Sequence, residues 1–292
     1  MNPFDSAQAR LSQADGSLRA SVLVLKLGGE LVETAEDRAD VARLAASLSA
    51  SRPLILIHGG GRSIDAELER RRIAPKKIDG LRVTDAPTMD AVVAVLAGTT
   101  NTALVAALAA EGVRAVGLTG ADAGIGRSAR VSAHQTASGS TVDLGLVGDP
   151  VDVNPALLNL LTRHGYVPVV ASVGIQSGTL LNVNADVMAC RIAAAISGCD
   201  LVIAGTTAGV LDADGSTIPA LDVDGIDRAI ASGTATAGMI AKLSACRDAL
   251  DSNVASIRLI DGRELTTPDA LERAPGTRLG NRISTRATER IA

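Results

Sequence analysis

A sheet of mainly parallel strands, covered on both faces by helices, is the fold this sequence predicts. Two observations lead to it. The apolar runs VLVLKL (22–27), LILIH (54–58) and DLVIAG (200–205) are continuous rather than alternating, as in strands buried on both faces. Each run is followed by a segment of helical character, and strand–helix alternation produces parallel pairing. The 292 residues contain no Pro/Ser-rich linker, so two lobes sharing one continuous sheet fit better than two tethered domains.

The elements follow in order. VLVLKL precedes a helical segment from Ala35 to Ala50, and PLILIHGGG (53–61) precedes SIDAELERRR. Residues 87–111 read as one long Ala/Val/Leu helix, followed by the strand AVGLTG (115–120). Between 130 and 153, RVSAHQTASGSTVDLGLVGDPVDV alternates polar and apolar residues among turn formers. It reads as a small antiparallel excursion, with hairpins inserted at one edge. YVPVVASVG (166–174) is a further buried strand. A helix over about 185–197 leads to DLVIAG, and one over 238–252 leads to SIRLID (256–261). Residues 1–20 read as a polar arm with a short helix around 5–14, and 281–292 as a polar tail that frays.

Composition narrows the function. Aromatic residues make up 1% of the chain, so Val, Leu, Ile and Ala must build the core. Base stacking on aromatic platforms is disfavoured, and a formal net charge of −4 leaves no electrostatic footprint for nucleic acid. Cys190, Cys199 and Cys246 lack metal-ligand spacing and read as buried reduced thiols. No apolar run reaches the ~18 residues of a membrane-spanning helix, and the N-terminus has no apolar secretory core. A cytoplasmic protein without membrane or nucleic-acid partners is expected.

Chemistry concentrates in a few clusters. Neither a GxxxxGK[ST] loop nor a strand-linked GxGxxG occurs. Instead Gly28-Gly29 follows VLVLKL, with Lys26 just before, and Gly59-Gly60-Gly61 follows LILIH. A tight strand-to-helix turn needs glycine in any case. Successive unobstructed N–H groups at a helix start also suit a phosphate, and ligands of open α/β sheets bind at strand carboxyl ends. In LLNVNAD (180–186), extended geometry would put Asn182, Asn184 and Asp186 on one face, although helix capping would explain one of the three. TATAGMIAKL (234–243) sets Lys242 in an apolar helix start, where a lysine is more often simply solvated. GLRVTD (80–85) carries Arg82, a natural bidentate partner for a carboxylate.

In order, KLGG, HGGG, GLRVTD, DLGLVG, VNPALLNLL, NVNAD and GMIAK resemble the amino-acid kinase family, and most closely its acetylglutamate kinase branch. The similarity runs from about Val22 to Leu279, and GLRVTDAPTMDAVVAVLAG (80–98) is the most characteristic stretch. The resemblance implies a three-layer αβα sandwich with an open central sheet. An N-terminal lobe (21–178) would bind the amino acid and dimerise, and a C-terminal lobe (179–280) would bind ATP. The implied reaction moves the γ-phosphoryl group of ATP to the side-chain carboxylate of N-acetyl-L-glutamate, a step of arginine biosynthesis. Lys26 and Lys242 would reach the phosphoryl group from opposite sides, with Asp186 holding both. Backbone N–H groups around Gly28, Gly29 and Gly61 would bind phosphoryl oxygens. Gly60, Gly61, Arg82 and Asn182 would bind the amino acid, Arg82 on its α-carboxylate, with Asn184 in support. Thr206 and Gly209 would lie beside the nucleotide. Mg²⁺ would arrive on the ATP phosphates. A carboxylate acceptor is already ionised at neutral pH, so the reaction needs positioning and charge neutralisation rather than a general base.

The sequence also departs from that family. Thr206-Thr207-Ala208-Gly209 stands where an Asp before Pro-Gly is usual, and Ala241 stands where Pro often precedes the second lysine. LAGTTNT lacks lysines often found there. APGTRL replaces the C-terminal run of arginine-inhibited members, which implies an arginine-insensitive homodimer. Two rivals follow: a related kinase for another acidic substrate, and a non-catalytic regulatory paralogue binding amino acid or nucleotide.

Overall fold

A computed structural model describes residues 21–136, 139–196, 198–231, 237–252 and 254–281. The expected N-terminal arm, its helix, and the tail beyond 281 lie outside the described residues.

The strands are β1 (Leu23–Leu27), β2 (Leu54–His58), β3 (Lys77–Ile78), β4 (Leu81–Arg82), β5 (Ala115–Thr119), β6 (Arg127–Arg130), β7 (His134–Gln135), β8 (Thr141–Val142), β9 (Val147–Asp152), β10 (Val167–Ala171), β11 (Val173–Gln176), β12 (Thr179–Val183), β13 (Asp200–Gly205), β14 (Ala220–Leu221), β15 (Ser256–Asp261) and β16 (Gly276–Leu279). The helices are α1 (Ala35–Ser49), α2 (Gly61–Arg70), α3 (Ala86–Ala110), α4 (Ala156–Arg163), α5 (Ala185–Ala195), α6 (Val223–Ala231), α7 (Ala237–Asp251) and α8 (Pro268–Arg273).

Eight strands form one sheet in the order β14-β16-β15-β13-β1-β2-β10-β5. Only the β15–β16 pair in it is antiparallel. The continuous apolar runs explain why β1 and β2 are central: every residue of both is buried. Leu23, Leu25 and Leu27 pack with Val41, Leu44 and Leu48 of α1 and Leu104 and Leu108 of α3. Val24, on the other face, packs with Met188 and Ile192 of α5 and Leu243 of α7. The expected α/β sandwich, helices on both sides of a mainly parallel open sheet, is therefore present. Period-two alternation then aims Lys26, two residues after Val24, at the α5–α7 layer.

Local signals set the helix starts. Thr34 and Asp37 form a reciprocal capping box before α1, with N···O distances of 2.9 and 3.0 Å. Asp85 caps α3, its carboxylate accepting from Thr88 N–H at 2.9 Å. Helix α3 widens into π-helical turns over Ala94–Thr100. By length and a mean hydropathy of 1.8 it could cross a membrane, although polar residues at 99–102 interrupt its apolar sequence. Here it lies on the core, with Val92, Val95, Leu96, Leu104 and Leu108 buried.

Two expectations change. YVPVVASVG is not one strand: β10 ends at Ala171 in the main sheet, and β11 starts at Val173 elsewhere. The 130–153 excursion is not inserted at a main-sheet edge. Strands β6 and β9 close with β11 and β12 into a separate small barrel, in which Val147, Val173, Leu181 and Val183 are buried. A half-apolar strand needs a second apolar face, and β11 and β12 supply it. β7 and β8 form a hairpin of their own.

Candidate active site

The site begins at the carboxyl ends of three adjacent parallel strands. In register, Leu27 of β1 faces His58 of β2 on one side and Ala204 of β13 on the other. The next residues, Gly28, Gly59 and Gly205, thus stand in a row along one sheet edge. The Gly28 N–H donates to the Ala204 carbonyl at 2.8 Å, so it closes the strand pair and is not available to a phosphoryl oxygen. Gly29 opens a 3₁₀ turn, and Gly61 is the first residue of α2. The initial N–H groups of such turns have no partner within the helix and suit an anion. The two glycine turns touch: a Cβ on Gly29 would lie 2.8 Å from Gly60 Cα.

Beside this row three charges meet. Lys26 Nζ lies 2.6 Å from Asp186 Oδ1, and Lys242 Nζ lies 3.6 Å from Asp186 Oδ2. Lys26 comes from β1, Asp186 from the first turn of α5, and Lys242 from α7. Asn184 fixes the start of α5, its Oδ1 accepting from the N–H groups of Asp186 (2.8 Å) and Val187 (3.3 Å). One helical turn beyond the charges, Cys190 and Cys246 bring their sulfurs to 3.8 Å, so α5 and α7 are in direct contact there. Burial alone would push the Asp186 carboxyl up. The two ammonium groups outweigh burial and hold it below the ordinary carboxylate value. An anionic group entering between the lysines would meet two ammonium groups held by a single carboxylate.

The far side of the site is built on β4. Arg82 is buried; its Nη2 donates to the Gly61 carbonyl at 3.1 Å and lies 2.6 Å from Asp65 Oδ1 on α2. Its Nη1 is buried without a hydrogen-bond partner among the described residues. Thr84 ties this stretch to two other motifs. Its N–H donates to Leu144 O at 2.8 Å, and its hydroxyl accepts from Asn182 Nδ2 at 3.1 Å. Gly80, at the tip before β4, approaches the start of α7: a Cβ there would lie 3.8 Å from Gly238 N. Behind the glycines, His58 is fully buried, donating from Nδ1 to Gly59 O and accepting at Nε2 from Asn101. Burial lowers its pKa to about 4, so the ring is neutral near pH 7.

A cleft on the β13 side is lined by Lys26, Gly28, Glu30, Thr206, Gly209 and Lys242, among others. Gly209 needs its glycine. Its φ is +87°, and a Cβ would lie 2.4 Å from Thr277 Oγ1.

The structure therefore brings Lys26, Lys242 and Asp186 to one point, with Gly28, Thr206 and Gly209 along the adjoining cleft. Gly29, Gly60 and Gly61 form the neighbouring turns, Arg82 adjoins them through the Gly61 carbonyl, and Asn182 lies against Thr84. The three polar side chains of LLNVNAD have separate partners. Asn182 donates to Thr84, Asn184 caps α5, and Asp186, which lies inside α5 and so off the two-residue period of β12, meets the lysines. Asp65 and Thr84 were not singled out from sequence. Asp65 sits in a charged helical run like any solvated face, and its partner Arg82 lies beyond a turn.

The profile of the amino acid kinase family matches residues 21–261. An acetylglutamate kinase of Symbiobacterium thermophilum is 40% identical over 246 residues, 82% of this chain and 84% of that protein. One from Solibacter usitatus is 40% identical over 266 residues, 90% of this chain and 99% of that protein. Among solved structures, smu.665 of Streptococcus mutans UA159 aligns with a TM-score of 0.71 at 24% identity, covering 89% of this chain and 99% of that one. An N-acetylglutamate synthase of Neisseria gonorrhoeae aligns with a TM-score of 0.73 at 21% identity, covering 97% of this chain and 63% of that one. These last two speak to fold alone. With a profile spanning β1 to β15 and two relatives at this identity over most of their length, the chain belongs to the amino acid kinase family.

Proposed function

We propose that this chain is an ATP-dependent kinase that phosphorylates the side-chain carboxylate of N-acetyl-L-glutamate, giving N-acetyl-L-glutamyl 5-phosphate for arginine biosynthesis. The convergence of Lys26 and Lys242 on Asp186 carries this reading. The relatives named acetylglutamate kinase support the choice of substrate.

The chemistry follows from charge. A carboxylate oxygen forms a bond to the γ-phosphorus, the bond from that phosphorus to the bridging oxygen breaks, and ADP leaves with the electron pair. No proton has to move. The obstacle is the approach of an anion to a polyanion, and fixed cations lower it. Lys26 would neutralise the transferring group from the β1 side and Lys242 from the α7 side. Asp186 would keep both ammonium groups aimed at one point. N–H groups of Gly29 and of the α2 start would hold phosphoryl oxygens.

The residues present suit these ligands. The buried, unpartnered Nη1 of Arg82 is a ready donor for the α-carboxylate, with Gly60, Gly61 and Asn182 around the rest of the amino acid. Asn184 would contribute by capping α5. Thr206 and Gly209, in the cleft beside Lys26 and Lys242, would contact the nucleotide. Mg²⁺ would be held by nucleotide phosphates and water, supplying further charge neutralisation. In this reading residues 21–178 form the amino-acid lobe and 179–280 the nucleotide lobe, in a cytoplasmic homodimer.

The test is ADP release with MgATP and a panel of acidic acceptors, including N-acetyl-L-glutamate and an N-acetylated aminoadipate. Turnover confined to N-acetyl-L-glutamate is expected. Binding without ADP release, or preference for another acid, would refute the proposal.

A further inference from the structure

We propose that Asp65 is a positioning residue for substrate recognition: it holds the Arg82 guanidinium so that Nη1 presents to the α-carboxylate of the acetylated amino acid. This inference rests on the reading of substrate given above.

Asp65 and Arg82 form a close ion pair on a guanidinium that the fold has buried. Arg82 is 6% exposed at its side chain, so its guanidinium is largely removed from water. Nη2 lies 2.6 Å from Asp65 Oδ1 and donates to Gly61 O, which leaves Nη1 buried and without a partner among the described residues. A buried guanidinium nitrogen without an acceptor costs stability unless a ligand completes it. The carboxylate is engaged on its other side as well, Oδ2 lying 2.7 Å from Lys77 Nζ. Burial alone would raise the Asp65 carboxyl, but its contacts with Lys77 and Arg82 bring it below the ordinary value. It is therefore an anion over the working pH range.

The arrangement also settles the charge of the subsite. Two cations and one carboxylate leave a net charge of +1 beside the open nitrogen. The backbone adds to the precision. Asp65 is one turn from Gly61 on α2, and Arg82 bonds the carbonyl of that same glycine. The fork and the glycine turn are thus held by one short helix.

The experiment compares two acceptors, N-acetyl-L-glutamate and its α-amide, which keeps the reacting side-chain carboxylate but lacks the α-carboxylate. In the wild type, kcat/KM should favour the acid by roughly tenfold to a hundredfold, as for a charge-assisted pair. In Asp65→Ala this preference should fall by at least about fivefold, through loss on the acid alone. The amide's kcat/KM and the affinity for MgADP should stay within about twofold of the wild type, the scatter expected of an untouched contact. Lys77→Met, which leaves the Asp65–Arg82 contact in place, should retain most of the preference. Should Asp65→Ala fail to fold, Asp65→Asn supplies the same comparison, and its preference should also fall. An unchanged acid-to-amide ratio in a folded Asp65 variant overturns the inference alone, since a merely structural role weakens both acceptors equally. A wild type that turns over neither acceptor overturns the substrate reading and this inference together.

Discussion

Asp186→Asn removes one negative charge and little volume, so its effect measures the charge cluster directly. The carboxylate lies 2.6 Å from Lys26 Nζ and 3.6 Å from Lys242 Nζ, and the side-chain exposures of Asp186 and Lys26 are 12% and 10%. At an effective permittivity of about 20, the two attractions amount to roughly 6 and 5 kcal/mol before desolvation is subtracted. Removing one member of a buried ion pair typically costs about 3–5 kcal/mol, because the remaining charges stay buried and unmatched. Here the remaining charges also repel each other. A loss of that size lowers the thermal midpoint by roughly 5–8 °C in a chain of this length. Misplacing both ammonium groups should reduce kcat by about 10²–10³, the usual effect of losing a group that stabilises transition-state charge. The pH dependence supplies an internal control. Folding holds the Asp186 carboxyl below its ordinary 3.8, so acidification protonates the unfolded chain first. The stability gap between wild type and variant should be complete above that pH and shrink as the pH falls through the lower, folded value. Scanning calorimetry at several pH values and steady-state kinetics on the same samples are the assays. A folded Asp186→Asn protein with an unchanged midpoint and near-normal kcat would refute the reasoning.

Two further outcomes are expected. His58 is buried neutral, with a pKa of about 4 against an ordinary 6.5, so the unfolded chain binds the extra proton between these values. Stability should therefore fall as pH drops from 6.5 to about 4, with roughly 3 kcal/mol from this ring. Urea unfolding across that range, compared with a His58→Gln protein whose dependence should be flatter, checks the assignment. Gly209→Ala would force a side chain onto φ +87° and into Thr277. KM for MgATP should rise by about tenfold, as expected where strain of 1–3 kcal/mol falls on a ligand-binding turn, with KM for the amino acid little changed.

Much of this arrangement was legible in the sequence because it depends on local pattern. Continuous apolar runs marked β1, β2 and β13 as buried parallel strands, and the parallel register then puts the glycines that follow into one row. What escaped depends on contacts distant in the chain. The barrel formed when β11 left the main sheet at Ser172, a kink of one residue inside an apolar run. The engagement of the Gly28 N–H depends on β13, 176 residues away. Asp65 offered only a charge among other charges on α2. Its meaning appears when the β3–β4 hairpin folds Arg82 and Lys77 onto it. Lys242 was legible through family resemblance rather than physics, since nothing in its own helix distinguishes it from a solvated lysine.

In the proposed mechanism Lys26 from β1 and Lys242 from α7 share the work of neutralising a transferring phosphoryl group. Trapping the acyl phosphate as a hydroxamate, with saturating MgATP and N-acetyl-L-glutamate, measures that step in the wild type, Lys26→Met, Lys242→Met and the double variant. Each single change should lower kcat by about 10²–10⁴ while leaving a folded protein that binds its ligands, and the double variant should lose less than the product of the two. Hydroxamate formed at near wild-type rate by either single variant would contradict the account.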